Sequence, residues 1–244
     1  MGFQTRAGGS ALMAGSFRLD CAALSTREIN QTLRQLLAEG VRDIVLTNPA
    51  GRHNLGVALR GEGRITLEGD AGYYAAAMLE GPSVRILGNC GWGTAENMMR
   101  GEVVVEGSAG NATGATIRGG TLVVKGHASS RTGISQKGGL ILVGGNSGYM
   151  TGFMMQKGVM VICGDVGEAL GDSMYEGTIY VGGRIAELGN DAVLRDLQES
   201  DLELLDAQLA RYGIPGRFDW KKVVSGRRLW NFSKKEMGVW IHAL

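Results

Sequence analysis

The chain has 244 residues, of which 44% are hydrophobic, so it is long enough for one large or two modest domains with a buried core. Its 25 basic and 24 acidic residues nearly cancel, which argues against a general attraction to nucleic acid or to a membrane surface. The three cysteines are widely spaced and form no CxxC pair, which argues against a disulfide framework or a zinc site and favours a reducing, cytoplasmic location. No apolar run reaches the length of a membrane span, and we expect no secretion signal in the irregular N-terminal arm, residues 1–16.

Residues 17–50 are predicted to form a small strand–helix–strand cap. Residues 17–21 alternate apolar and polar side chains, as a short strand does, and residues 41–46 form an apolar run typical of a buried strand. Between them, Ser25 and Glu28 have the spacing of a capping box at a helix start. The apolar face of that helix comprises Ile29, Leu33, Leu36 and Leu37.

Residues 51–183 contain a strict repeat of 19 residues, preceded by one irregular coil. Each repeat ends in a pair of apolar residues two positions apart, such as Val103 and Val105, and residues 65 and 67 hold the same place in the irregular coil. A unit this short cannot bury its own apolar side, and its glycines argue against a helical repeat. We therefore predict an all-β fold, a parallel β-helix of about seven coils. The repeats begin at Gly69, Gly88, Gly107, Gly126, Gly145 and Gly164.

Stacked coils would place equivalent residues in vertical columns. If the opening glycine is position zero, position six holds a column of threonines, and position seven holds only Gly or Ala, as expected at a tight bend. Position one holds short polar or turn-forming residues. The predicted threonine column is Thr94, Thr113, Thr132 and Thr151, and the predicted polar column is Asp70, Asn89, Ser108, His127, Asn146 and Asp165.

The C-terminal part changes character after the last repeat. Residues 184–216 are rich in Leu and charge, and we predict a helical cap over the far end of the solenoid, broken into two helices near Ser200 or Asp201. Residues 217–244 form a basic, aromatic tail that is too short to make its own core. We therefore predict that it binds another protein chain, with nucleic acid as the less favoured partner. The candidate interface residues are Trp220, Arg227, Arg228, Trp230 and Phe232.

No group of residues indicates a catalytic, cofactor-binding or metal-binding site more strongly than a structural role. Residues 133–138 have the glycine spacing of a phosphate loop, but Gly139 stands where the lysine should be. Four acidic residues in the last coil fall at different corners, so solvated edge charges are favoured over a metal site or an acid–base pair. The histidines suggest no triad, and an aromatic column is favoured as a packing surface over a platform for a ring. The acidic residues are Asp165, Glu168, Asp172 and Glu176, the histidines are His53, His127 and His242, and the aromatic column is Tyr73, Trp92 and Tyr149, with Tyr74 beside it.

The repeats resemble the GXGXG domain that ends the large subunit of glutamate synthase. The motifs are GNCGWGTAENMMRGEVVVEG, GSAGNATGATIRGGTLVVKG and GDVGEALGDSMYEGTIYVGG, preceded by LSTREIN and NPAGRHNL, and the resemblance covers roughly residues 17–185. In that family the domain is a right-handed β-helix without catalytic residues, placed between an amidotransferase domain and an FMN-binding synthase barrel. The resemblance therefore implies a right-handed solenoid, with no functional residue to carry over to this chain.

Because neither neighbouring domain is present on this chain, the resemblance is strongest to the stand-alone GXGXG subunit of N-methylglutamate synthase, also called methylamine-glutamate N-methyltransferase. It implies a noncatalytic scaffold subunit of a hetero-oligomer, with an amidotransferase-like subunit and an FMN-binding synthase-like subunit as partners. FMN and an iron–sulfur cluster would then lie in a partner subunit. Three alternatives stay open: a stand-alone subunit of glutamate synthase, a scaffold of a formylmethanofuran dehydrogenase or formyltransferase complex, and an adaptor solenoid outside any enzyme.

Overall fold

The computed structural model describes residues 17–227. Eleven strands of this part form one sheet, in the order β1-β2-β3-β4-β5-β6-β7-β8-β9-β11-β10, and two helices pack against it. The predicted all-β solenoid of about seven coils is confirmed. The elements are β1 (Phe17–Asp20), α1 (Thr26–Ala38), β2 (Asp43–Thr47), β3 (Arg64–Glu68), β4 (Glu80–Ile86), β5 (Arg100–Val105), β6 (Thr121–Val124), β7 (Lys137–Val143), β8 (Lys157–Ile162), β9 (Thr178–Val181), β10 (Ala192–Arg195), α2 (Glu199–Tyr212) and β11 (Lys221–Ser225).

Strands β1 to β9 stack in parallel, one above the next. Val105 pairs with Val124, and Val124 pairs with Val143, so equivalent residues of successive repeats are direct neighbours. Because side chains alternate along a strand, the two apolar residues at the end of each repeat point to the same side and are buried in the solenoid interior. This column forms the centre of the main hydrophobic core.

The polar columns predicted from the repeat are also confirmed. Each threonine of the position-six column is fully buried, and its Oγ1 donates to the carbonyl three residues earlier at 2.8–3.0 Å. In the position-one column, each side chain accepts a hydrogen bond from the backbone N–H of the next residue down the column, at 2.7–3.1 Å. These contacts satisfy backbone groups at a corner where no strand continues.

The N-terminal unit covers the open end of the first coil. The capping box of Ser25 and Glu28 starts α1, and Ile29 and Leu33 of its apolar face are fully buried in the core. Asn30 fixes the helix to the coil below, since its side chain donates to the carbonyl of Asn54 and accepts from the N–H of Gly56. Strands β1 and β2 extend the parallel sheet, so the cap is continuous with the solenoid.

The C-terminal region differs from the sequence prediction in two ways. Residues 192–195, predicted as helix, form the strand β10, and a single helix α2 begins at residue 199 with Gln198 as its N-cap. Helix α2 lies along the outer face of the sheet instead of over the end of the stack, because Leu205 and Leu209 pack on outward-facing apolar residues of β6 to β9. Those outward-facing residues are Val123, Leu142, Val161 and Tyr180.

The start of the predicted partner-binding tail belongs to the fold of this chain. Strand β11 pairs antiparallel with β9 on one side and with β10 on the other, so it covers the edge of the last parallel strand. Val223 of β11 is fully buried in the main core. Residues 217–227 therefore contribute to the fold of this chain, while binding of the tail to another chain stays a prediction, and residues 228–244 lie outside the described part.

Candidate interaction surface

The acidic residues of the last coil do not converge on a metal. Asp165 accepts from the backbone N–H of Arg184 at 2.7 Å, and Asp172 accepts from the N–H of Asn190 at 3.1 Å. Within residues 17–227, no three His, Cys, Asp or Glu side chains come close enough to hold a metal ion. Asp165 and Asp172 therefore stabilise the backbone of this coil.

Two of the three histidines have structural positions in the solenoid. His127 Nδ1 accepts from the N–H of Asn146 at 3.0 Å, as the polar column predicts. His53 Nδ1 accepts from the N–H of Tyr73 at 2.8 Å, and its ring stacks on that of Tyr73. His242 lies outside the described residues.

The cysteines are buried and are not poised for chemistry. Cys21, Cys90 and Cys163 are free thiols. Burial raises the pKa of Cys90 and of Cys163 to about 12, so both stay protonated near neutral pH and are poor nucleophiles. Burial also raises the pKa of Cys21.

Two of the five candidate interface residues lie in the described part. Trp220 is half-buried, and its ring lies 4.9 Å from that of Phe218. Both rings pack against the apolar residues between α2 and the sheet. Arg227 is exposed at the end of the described chain. It lines a groove of about 600 Å³ with Tyr175, Arg195 and Lys222, at the edge formed by β10 and β11. Arg228, Trp230 and Phe232 lie outside the described residues.

A buried polar cluster under α2 was missed from the sequence. Asp201 is 8% exposed, and it accepts hydrogen bonds from Tyr180 Oη and from Lys222 Nζ, the latter at 2.8 Å. Burial by itself would raise the pKa of the Asp201 carboxyl, but the bonds from Lys222, Tyr180 and the N–H of Gln198, with the charge of Lys222, together hold that pKa below its ordinary value. The cluster joins β9, β11 and α2. Tyr180 and Lys222 each lie 21 residues from Asp201 in the chain, so no local pattern indicates the cluster.

The outer face of β2 to β5 is polar and carries a groove of about 440 Å³. Its charged side chains form ion pairs with each other across neighbouring strands and with the end of α2. Tyr212 of α2 donates to Glu102 at 2.7 Å, and burial, followed by this bond, raises the pKa of Tyr212 to about 12. The ion pairs are Arg64–Asp43 at 2.6 Å, Arg85–Glu106 at 2.8 Å and Arg211–Glu102 at 2.8 Å.

The turn side of the first coils exposes aromatic rings. Tyr73 is 41% exposed and Trp92 is 53% exposed, and their rings stack with centroids 5.3 Å apart. Tyr74, beside them, is 45% exposed. Tyr149 occupies the same column, three coils after Trp92, and is 46% exposed, but it does not stack with Tyr73 or Trp92. That this column is a packing surface stays a prediction.

Comparison with known proteins identifies a fold of the same kind. The chain is similar to a chain of the formyltransferase/hydrolase complex from Methylorubrum extorquens, solved in complex with methylofuran, with a TM-score of 0.61 and 24% sequence identity. The match covers 81% of this chain and 85% of that chain. No protein-family model matches the chain. No curated protein matches it. Neither helix of residues 17–227 is long and apolar enough to span a membrane.

Proposed function

We propose that this chain is a noncatalytic scaffold subunit of a multi-subunit enzyme. The observation that carries the proposal is the similarity to a chain of a formyltransferase/hydrolase complex, which extends over most of both chains. The role is to hold separate catalytic subunits at a fixed distance, so that a reactive group passes between active sites without loss to water.

The solenoid suits this role because it is stiff along its axis. Every parallel strand is hydrogen-bonded to the next, and the turn side is bonded between coils as well, for example from the N–H of Gly133 to the carbonyl of Thr113 at 2.8 Å. A stack of this kind cannot shear by one residue without moving every buried side chain to the wrong face. The exposed outer face of β2 to β5 and the aromatic turn side offer two separate surfaces for partners.

A formyltransferase-type complex is the first candidate assembly. It is supported by the solved complex that contains the similar chain. In that case the partner subunits would carry the formyl-transfer and hydrolysis steps, and this chain would join them.

N-methylglutamate synthase is the second candidate, supported by the GXGXG motifs of the repeats. The assembled enzyme would make N-methylglutamate and ammonia from methylamine and glutamate. An amidotransferase-like subunit and an FMN-binding, iron–sulfur synthase-like subunit would be the partners. A glutamate synthase with this chain as a separate subunit would differ in its nitrogen donor.

Purification of the tagged chain from its native cells tests the scaffold role. We expect other subunits to co-elute in fixed stoichiometry on size exclusion. Formyl transfer without flavin would select the first assembly, and flavin absorbance with methylamine-dependent formation of N-methylglutamate would select the second. Turnover by the isolated chain, or a wild-type chain that elutes alone, would contradict the scaffold function.

A further inference from the structure

The exposed rings on the turn side are held rigidly in place. His53, Tyr73 and Trp92 form one stack, with interplanar angles of 17° and 18° between neighbours. Each ring leans over a glycine of the next coil: a Cβ at Gly91 would lie 2.5 Å from the Tyr73 ring, and a Cβ at Gly110 would lie 2.6 Å from the Trp92 ring. The rings therefore lose little conformational freedom when a partner binds.

A carboxylate lies beside Tyr74, next to this stack. Gly93, which follows Trp92, is buried beneath the ring of Tyr74. A Cβ at Gly93 would lie 2.5 Å from the Tyr74 ring and 3.0 Å from Glu96 Oε2, so the ring and the carboxylate flank the same point. We call the set of Tyr74, Trp92, Gly93 and Glu96 the aromatic notch.

Glu96 has no cationic partner within the described chain. Among residues 17–227, its carboxylate accepts one hydrogen bond, from the side-chain amide of Asn97 at 3.5 Å, and forms no ion pair. Other carboxylates on the solenoid surface do pair with arginines, as Glu80 does with Arg60. The aromatic notch thus combines exposed ring faces with an unneutralised carboxylate.

Arginine is the side chain that fits this combination. Its planar guanidinium stacks on Tyr and Trp faces, is less strongly hydrated than an ammonium, and donates two parallel hydrogen bonds to a carboxylate. Trp, Tyr and Arg are also the residues that dominate the binding free energy of protein interfaces. We propose that the aromatic notch docks an arginine from a partner subunit, which rests on the proposed scaffold function.

Binding of a guanidinium can be measured on the full chain without knowledge of the partner. The probe is N-acetyl-arginine amide, the matched neutral probe is N-acetyl-citrulline amide, and the readout is the indole N–H signal of Trp92 in NMR, assigned with Trp92→Phe. We expect a saturable shift with the arginine probe, about tenfold weaker binding of the citrulline probe, and loss of the response in Glu96→Gln. Tyr149→Ala, in the same column but far from Glu96, should respond as the wild type does. Equal binding of both probes, or an unchanged response in Glu96→Gln, would overturn the proposal.

The native complex provides the second test. Trp92→Ala and Glu96→Gln should each weaken partner binding about tenfold, whereas Tyr149→Ala should leave it unchanged, with a thermal melt showing that each variant is folded. Unchanged partner binding in both notch variants would refute the docking site and leave the scaffold role standing. If the wild-type chain has no stoichiometric partner, the scaffold role fails, and the arginine titration alone decides whether the notch binds a guanidinium.

Discussion

The bend of each coil contains several residues with a left-handed backbone, such as Tyr74, Ala76 and Met78. Repeat position seven has positive φ in every coil, for example 53° at Ala76, 68° at Gly114 and 63° at Gly133. The residue at this position faces the interior, where long side chains from the opposite strand already fill the space. The packing therefore restricts this position to Gly or Ala, because larger residues with positive φ, such as Tyr74 and Met78, occur in the same coils where the side chain is exposed.

Gly133→Val should destabilise the chain by about 3 kcal/mol, because the new side chain meets both an unfavourable φ and a filled core. Its Cβ would already lie 3.0 Å from Ile141 Cδ1 and would clash with Met160. The measurement is urea denaturation.

Gly51→Val is the matched control, since Gly51 has a φ of 66° and no atom within 4 Å of its added Cβ. The control should lose about 1 kcal/mol, from the backbone alone. Equal losses in the two variants would mean that position seven does not face a filled interior.

Asp201→Asn should cost about 3 kcal/mol, because it leaves the ammonium of Lys222 without its buried counter-charge. Chemical denaturation at neutral pH measures the loss. Asp219→Asn is the control: Asp219 also pairs with a lysine, Lys221, but its side chain is 94% exposed, and its loss should be within about 0.5 kcal/mol of zero. Similar effects of the two substitutions would show that burial of the Asp201 cluster does not increase the contribution of its ion pair to stability.

The same cluster predicts acid sensitivity. Because the pKa of Asp201 in the folded chain lies below its unfolded value, ionised Asp201 stabilises the fold at pH above about 4, and this contribution is lost as the pH falls through the folded-state pKa. The free energy of unfolding of the wild type should therefore fall below pH 4. The difference between wild type and Asp201→Asn should shrink over the same range, and a constant difference down to pH 2 would contradict the assignment.

At the scale of elements, α2 lies on the solenoid side because of the outward-facing residues of the sheet. In β6 to β9 these residues are apolar, whereas in β3 and β4 the equivalent residues include Thr66 and Arg85. A helix with one apolar face therefore gains most by covering the later strands. The polar outer face of β2 to β5 is not covered by α2 and lies beside the C-terminal end of that helix.

Leu205→Ala should destabilise the chain by about 3 kcal/mol, because Leu205 is fully buried between α2 and the sheet. Urea denaturation followed by circular dichroism measures this. Leu202→Ala, on the same helix but 43% exposed, should cost less than about 1 kcal/mol. Comparable losses at both positions would mean that α2 is not seated on the sheet as described.

At the scale of the whole molecule, different elements cover the two ends of the parallel stack. Helix α1 closes the interior at the first coil, and β11 pairs antiparallel with the edge of β9 at the last. An uncovered edge of nine stacked strands would invite pairing with other chains. Residues 217–227 therefore contribute to the fold, and binding of a partner by the tail stays a prediction.

Two truncations separate folding from assembly. Removal of residues 228–244, which include Arg228, Trp230 and Phe232, should leave the melting temperature within about 2 °C of wild type and abolish co-purification with partner subunits. Removal of residues 217–244 also deletes β11 and Lys222, and should lower the melting temperature by more than about 5 °C. Full assembly without residues 228–244 would show that the tail is not the partner interface.

Much of this structure follows from the sequence alone. The exact 19-residue period determined the stacking, the columns and the inward-facing residues, because equal repeats place like side chains above one another and only one face of each strand can be buried within the coil. The capping box of Ser25 and Glu28 likewise determined where α1 starts, since those contacts are local.

The positions of α2, β10 and β11, the buried Asp201 cluster and the aromatic notch were decided by tertiary structure. Short apolar segments such as residues 192–195 suit a helix or a strand equally, and an available sheet edge selects the strand. The outward-facing residues Val123, Leu142 and Val161 are apolar in the sequence, which indicates that another segment covers this face. Which segment covers it depends on contacts between distant parts of the chain. Such contacts form only once the coils have stacked, so no local pattern encodes them.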